Sequence, residues 1–304
     1  MKRTVIVALA ALFAALPSYA QGEAMTWMAQ EKTPVAASTP GLSLTSSSDI
    51  SFAAFHSPAV VPYSSDRLGV AASYSLTGNA GTGSGVSAGV AARLGKRIGI
   101  AVAGNYNLCG EYEVIDDFGN RNGLFKTSSM MFSAGVGVKV IEMLSLGVNL
   151  KYAGERLASD STPAAFASDV YALFRWKGLG VSAGVSNVGT SVKDQSGAAF
   201  SLPSSVRVAA GYGQTFASSH FLEAGLEADY FFSGKFSAAA GLQYGFRGFL
   251  FARAGYRWSD SPAVPSYASA GLGCKFFGVS LNISGQFTSS KSPNTLALSL
   301  GYSF

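Results

Sequence analysis

The chain has 304 residues, of which 13% are charged and 48% hydrophobic, with 36 glycines and two cysteines. A charged fraction about half that of soluble domains does not suit an ordinary water-exposed surface. The formal net charge of +5 is small and its basic residues are scattered, which excludes a nucleic-acid binder and leaves no nucleic-acid partner to expect.

Residues 1–20 place Lys2 and Arg3 before an apolar run from Thr4 to Leu16, then small residues at Ser18-Tyr19-Ala20. This is the layout of a secretory signal peptide, which leaves the mature chain before folding. No Cys follows the cleavage site, so no lipid anchor is expected. Residues 21–66 are rich in Ser, Thr, Pro and Ala, with Phe52, Phe55, Pro58, Pro62 and Tyr63 near the end. Such a composition suits a disordered periplasmic tail. The aromatic and Pro content from Ile50 to Tyr63 instead favours a segment folded into the mouth of the domain that follows, as a plug.

Residues 68–92 carry no charge over 25 positions, long enough for a membrane helix. However, Gly78, Gly81, Gly83 and Gly85 interrupt the stretch and its flanks alternate with period two, so it reads as two strands around a glycine-rich loop. The same alternation continues through 97–109, 124–140, 142–155, 165–176, 178–189, 203–214, 219–232, 235–246, 248–258, 267–276, 278–288 and 294–304. With 67–77 and 84–94 this makes fourteen strands, an even number, over a domain spanning 67–304. Tight links such as Lys177-Gly178 and Phe277-Gly278 alternate with longer polar stretches such as Gly110–Gly123 and Val188–Pro203. That rhythm is the periplasmic and extracellular asymmetry of outer-membrane barrels. The short link Ser233-Gly234-Lys235 breaks it between the ninth and tenth strands. The fold class expected is therefore all-β: a transmembrane antiparallel β-barrel of about fourteen strands in outer-membrane lipid, with an N-terminal plug segment and both termini in the periplasm.

The last strand sets Leu296, Leu298, Leu300, Tyr302 and Phe304 on one face and Ala297, Ser299, Gly301 and Ser303 on the other. It resembles the C-terminal assembly signal of Gram-negative outer-membrane barrels, terminal Phe included. Fourteen strands, about 300 residues and the N-terminal segment together resemble the FadL superfamily. Phe55-His56-Ser57-Pro58-Ala59 resembles the Asn-Pro-Ala element of its PorV/PorQ branch, with Ser57 in place of the Asn. The resemblance implies a non-enzymatic accessory role in type IX protein export, with secretion-system proteins or secreted cargo as partners. The alternative it implies is passive transport of a hydrophobic ligand, with an apolar lumenal pocket and a lateral opening where a strand kinks.

Strand parity assigns the inward residues. Glu223, Glu227 and Asp229 face Arg207, Arg247, Arg253, Arg257 and Lys275 from neighbouring strands, with Gln243, Asn282 and Gln286 among them; Lys139, Lys151, Asp169 and Arg175 lie on the other wall. A charge on the lipid face costs about 2–4 kcal/mol at the midplane, so these groups belong in the lumen. They suit a charge lattice that stiffens the barrel or holds its plug, ahead of a solute path lined by the same groups. Small inward residues on the first four strands, among them Gly69, Gly89, Ala101, Gly135 and Gly137, leave space that something must fill. The large apolar members are few, Tyr171 and Leu173, which disfavours a greasy cavity unless Phe52 and Phe55 supply one. The only histidines are His56 and His220, too isolated for a nucleophile–base constellation, and no cofactor motif is present. Asp116-Asp117-Phe118-Gly119-Asn120 could hold calcium but reads better as a solvated loop tip. Cys109 and Cys274 fall on opposite faces of the wall, so both are expected free.

Overall fold

The computed structural model describes residues 22–78, 83–115, 119–157, 162–193, 197–288 and 293–304. Its strands are β1 (Leu68–Thr77), β2 (Gly83–Leu94), β3 (Ile98–Ile115), β4 (Arg121–Ile141), β5 (Leu144–Arg156), β6 (Ala164–Trp176), β7 (Leu179–Gly189), β8 (Val192–Lys193), β9 (Ala199–Phe200), β10 (Ser205–Phe216), β11 (His220–Phe231), β12 (Phe236–Phe246), β13 (Leu250–Ser259), β14 (Tyr267–Phe276), β15 (Val279–Thr288) and β16 (Thr295–Ser303). Strands β8 and β9 pair only with each other, inside the connection from β7 to β10. The other fourteen form one closed antiparallel barrel in which β1 meets β16. Closure satisfies every strand edge, the condition for a sheet to stand in hydrocarbon. At the seam Val70, Ala72 and Tyr74 oppose Tyr302, Leu300 and Leu298, while Gly69, Ala71 and Ser73 oppose Ser303, Gly301 and Ser299. One face is apolar throughout and the other small, as the period-two reading requires.

The tight turns fall on one end. Arg247-Gly248 and Phe277-Gly278 hold positive φ at both central residues, the mirror-image turn geometry that matches strand twist. The link Phe232–Lys235 lies on the opposite end and is simply short, so the strand count stands at fourteen. The stretch read as the loop Gly110–Gly123 is instead largely strand. Beyond Leu108 and Ser128, where pairing to β2 and β5 ends, β3 and β4 continue together as far as Ile115 and Arg121. Tyr112 packs on Phe125 with ring centroids 5.6 Å apart, and Lys126–Glu111 and Arg121–Glu113 pair at 2.6 and 3.3 Å. The sequence hid this because Glu111, Glu113, Arg121 and Lys126 stand among Tyr112, Leu124 and Phe125, so no uninterrupted apolar face marks the strands. Most of the calcium motif lies outside the described residues. Both cysteines are free, on β3 and β14.

Residues 22–66 lie within the cylinder. The start is tied to the long-connection end: Ala24 N–H donates to the Ser201 carbonyl at 2.8 Å and the Trp27 indole donates to Glu155. The chain then descends through the helix Pro34–Ser38, capped by Thr33, and leaves at the short-turn end, where Lys275 holds Asp66 at 2.8 Å. The expectation that both ends of the mature chain sit on the short-turn side therefore holds for the C-terminus alone. Inward glycines form the track. A Cβ added at Gly89, Gly137, Gly225 or Gly241 would fall on the carbonyl oxygen of Ser51, Pro58, Gly41 or Pro40 respectively. Backbone lies directly on backbone there because no wall side chain intervenes.

Gly137→Val inserts bulk under Pro58 and is expected to unseat the segment at a cost of about 1–3 kcal/mol while the barrel stays folded. Heat-modifiable gel migration should be unchanged and single-channel conductance in planar bilayers should rise. Conductance equal to wild type, with the barrel intact, contradicts this seating.

Candidate functional site

The lumen has two chemically different sides, and the N-terminal segment touches both. On the side of β10–β13, Arg207 reaches Asp229 at 3.0 Å and Glu227 at 2.6 Å, and Arg257 reaches the same two carboxylates at 2.7 and 2.8 Å. The register explains the fit. Asp229 lies directly across from Arg207, whereas Arg257 opposes Ala239, which opposes Glu227. A methyl group between them lets the guanidinium extend over one strand to the acid on the next. Glu223, Gln243, Arg253 and Asn282 continue the row across four strands, with Gln243 donating to Glu223 at 3.4 Å and accepting from Arg253 at 2.6 Å, and Arg253 donating to Asn282 at 2.9 Å.

The segment joins this row through hydroxyls and one carboxylate. Ser43 donates to Glu227 at 3.0 Å and Ser46 to Glu223 at 2.9 Å. Glu31 approaches Arg257 and His56, each at 3.5 Å. Burial pushes the His56 imidazole below its usual range, and its Nε2 has no hydrogen-bond partner among the described residues.

On the opposite wall Lys151 pairs with Asp169 at 2.7 Å, both fully buried, and donates to the Asn187 side-chain oxygen at 2.9 Å. Asp169 also accepts the Asn187 backbone N–H at 2.8 Å. Asn187 has a φ of 55°, and the β6–β7 register slips between Ser168 and Val170. Beyond Ser186 the backbone ladder with β10 gives way to side-chain bonds, Asn187 donating to the Pro203 carbonyl at 3.3 Å and Ser204 to the Asn187 carbonyl at 2.7 Å, and the ion pair sits at this irregularity. Around it lies an apolar cluster that includes Met28, Phe52, Phe55, Met131 and Leu173 with the small wall residues Ala91, Ala101, Ala103, Ala153 and Ala165. Phe52 and Phe55 stack with centroids 6.1 Å apart.

The remaining sequence-derived positions divide. Arg175 donates to the Thr45 carbonyl and to Ser47 Oγ, the latter at 3.0 Å. Lys139 lies over the Tyr63 ring and Lys275 holds Asp66; all three belong to the short-turn rim of the lumen. Arg247 is corrected. It occupies the β12–β13 turn, exposed, with its guanidinium 5.2 Å from the Phe246 ring, because parity no longer applies once the turn begins. Pro58 and Ala59 sit against Gly135, Gly137 and Gly147, and Ser145 donates to the Ala59 carbonyl at 2.7 Å. Phe55, Ser57, Pro58 and Ala59 are thus a seat on the wall. Sequence reasoning missed Glu31 and Asn187. An acid isolated in a polar segment gives no local signal, and only the Ser-Asn break in the alternation of β7 hints at the second.

The open space is small. One gap lined by Glu31, Lys32, His56, Lys151, Asn187 and Arg207 has a cavity volume of about 20 Å³, and two others about 40 Å³ each. These hold one or a few waters; an aromatic ring needs an apolar cavity of roughly 150 Å³.

Removing one partner of a buried ion pair is expected to cost about 3–5 kcal/mol, more than replacing both by apolar groups. Asp169→Asn should therefore lower the thermal unfolding midpoint in detergent, and Lys151→Met with Asp169→Leu should recover most of the loss. A midpoint unmoved by Asp169→Asn contradicts the pairing.

No family model and no curated relative matches the chain. Solved structures do. A TodX monoaromatic hydrocarbon channel variant superposes with a TM-score of 0.63 at 12% identity, covering 90% of this chain and 99% of that one. The CymD monoaromatic hydrocarbon channel gives 0.63 and 12%, covering 90% and 97%. The Ralstonia pickettii toluene transporter TbuX gives 0.62 and 9%, covering 90% and 98%. At 9–12% identity these likenesses establish the fold, a closed antiparallel β-barrel.

Proposed function

We propose that this barrel is a passive outer-membrane channel for small hydrophobic molecules, held closed by its own N-terminal segment. The observation that carries the reading is the apolar cluster inside the barrel, with Met28, Phe52 and Phe55 resting on alanines of the wall. Displacing the segment would leave a lane floored by small apolar residues and rimmed by Tyr171 and Leu173, wide enough for a ring that the closed gaps exclude. The fixed charges of the β10–β13 side would keep the opposite wall rigid. Beyond Ser186 the β7–β10 backbone ladder ends and only side-chain bonds of Asn187 and Ser204 bridge the two chains; a route through the wall would open by breaking them. The fold shared with a toluene transporter and monoaromatic hydrocarbon channels supports the same direction.

A second reading, a barrel serving protein export as a PorV/PorQ-like accessory, is favoured by one feature. The hairpin of β3 and β4 extends past the ladders to β2 and β5, with Tyr112 donating to the Leu157 carbonyl and Arg156 lying over the Phe125 ring at its base. It predicts protein partners rather than a ligand.

Uptake of radiolabelled toluene by outer-membrane vesicles carrying the protein separates the two. The channel reading expects faster uptake than in empty vesicles, a further increase with Gly137→Val, and no effect of the wild-type protein on uptake of glycerol, a polar molecule of similar mass. Uptake equal to empty vesicles for both forms, with secretion proteins co-purifying on a tagged chain, overturns it in favour of the export role.

A further inference from the structure

Charge is distributed unequally between the two ends. On the β3–β4 hairpin at the long-connection end basic residues are matched: Lys126 pairs with Glu111 and Arg121 with Glu113. At the short-turn end the acids are Asp66, Glu142 and the terminal carboxylate. Asp66 is taken by Lys275 and Glu142 lies 3.9 Å from Lys139. Six cations remain there, Arg67, Arg93, Lys96, Arg97, Lys177 and Arg247, with no carboxylate within salt-bridge distance among the described residues. Four of them gather at the start of β1, the end of β2 and the β2–β3 turn, where the Arg93 N–H donates to the Arg67 carbonyl at 2.8 Å.

Two others show which way they point. The Lys177 ammonium sits 4.7 Å from the Trp176 ring and the Arg247 guanidinium 5.2 Å from the Phe246 ring. Both rings have the outward parity of their strands, and Trp176 is half exposed to the lipid side. An aromatic girdle marks the membrane–water boundary, so a cation folded over it lies at headgroup depth, with its stem along the apolar surface. Among the described residues no protein anion answers these charges.

We propose that this rim is a binding surface for anionic phospholipid headgroups of the periplasmic leaflet, the lipid phosphates taking the place of the missing carboxylates. Each cation adds attraction that falls away within a Debye length. The surface would fix the depth of the barrel in the membrane and keep its short turns at the leaflet boundary, whatever crosses the lumen.

Native mass spectrometry of the detergent-solubilised protein, given phosphatidylglycerol or phosphatidylcholine of identical acyl chains, tests this. Wild type is expected to retain phosphatidylglycerol in preference, with the preference collapsing at high salt. The combined variant Lys96→Gln, Arg97→Gln, Lys177→Gln and Arg247→Gln should reduce that preference by about tenfold or more. Arg121→Gln with Lys126→Gln, at the other end, should leave it intact. Heat-modifiable migration shows that each variant is folded. Equal retention of the two lipids by wild type, an unchanged preference in the fourfold variant, or an equal loss in the control pair overturns the proposal.

Discussion

Backbone resting on backbone is the contact on which the interior of this barrel depends. A fourteen-stranded wall encloses more space than its own inward side chains fill, and here most of those side chains are hydrogen, methyl or hydroxymethyl. The N-terminal segment uses that space at close range. Its carbonyls at Pro40, Gly41, Ser51 and Pro58 lie where a Cβ would otherwise stand. Dispersion contacts are weak singly and large in sum, and a run of glycine seats over five or more strands makes many. The same seats leave the segment removable, since no disulfide ties it to the wall.

Electrostatics adds direction to this fit. The two arginines and two carboxylates of β10, β11 and β13 satisfy one another first, and the segment is attached to them by serine hydroxyls and Glu31 at longer range. A buried ion pair contributes little net stability when complete and costs much when broken. The barrel thus keeps its charge lattice whether or not the segment is present, while the segment gains only modest hydrogen bonds from it. The apolar side is different. There Phe52 and Phe55 bury their rings against alanines, and what the segment covers is greasy surface that would otherwise face water.

Much of this was legible in the sequence, and the reasons are physical. Strand existence, number and parity followed from period-two alternation, because a lipid-facing wall admits so few exceptions: a charge at the wrong parity is too costly. The inward assignment of acids and bases rests on the same parity argument, and Arg247 departs from it where the strand gives way to a turn. What alternation could not reveal was anything held by non-local contacts. The β3–β4 hairpin beyond Leu108 mixes charged residues with Tyr112, Leu124 and Phe125, so it carries no uninterrupted apolar face. The path of residues 22–66 depends on twelve glycines spread over the wall, none of which predicts its partner in isolation. The placement of residue 22 at the long-connection end reverses the expectation of a periplasmic start for the same reason. Glu31 acts through His56 and Arg257, both on other elements, and Asn187 acts across a strand slip.

The central claim is that the segment is seated inside the lumen, and chemical access to Ala59 tests it most directly. With Cys109→Ser and Cys274→Ser as background, a single cysteine at Ala59, which is fully buried, is compared with one at the exposed Ser65 for reaction with a membrane-impermeant maleimide on folded protein in detergent. The account predicts rapid labelling at Ser65→Cys and labelling at Ala59→Cys only after heat unfolding. Equal rates at the two positions in the folded barrel would contradict it.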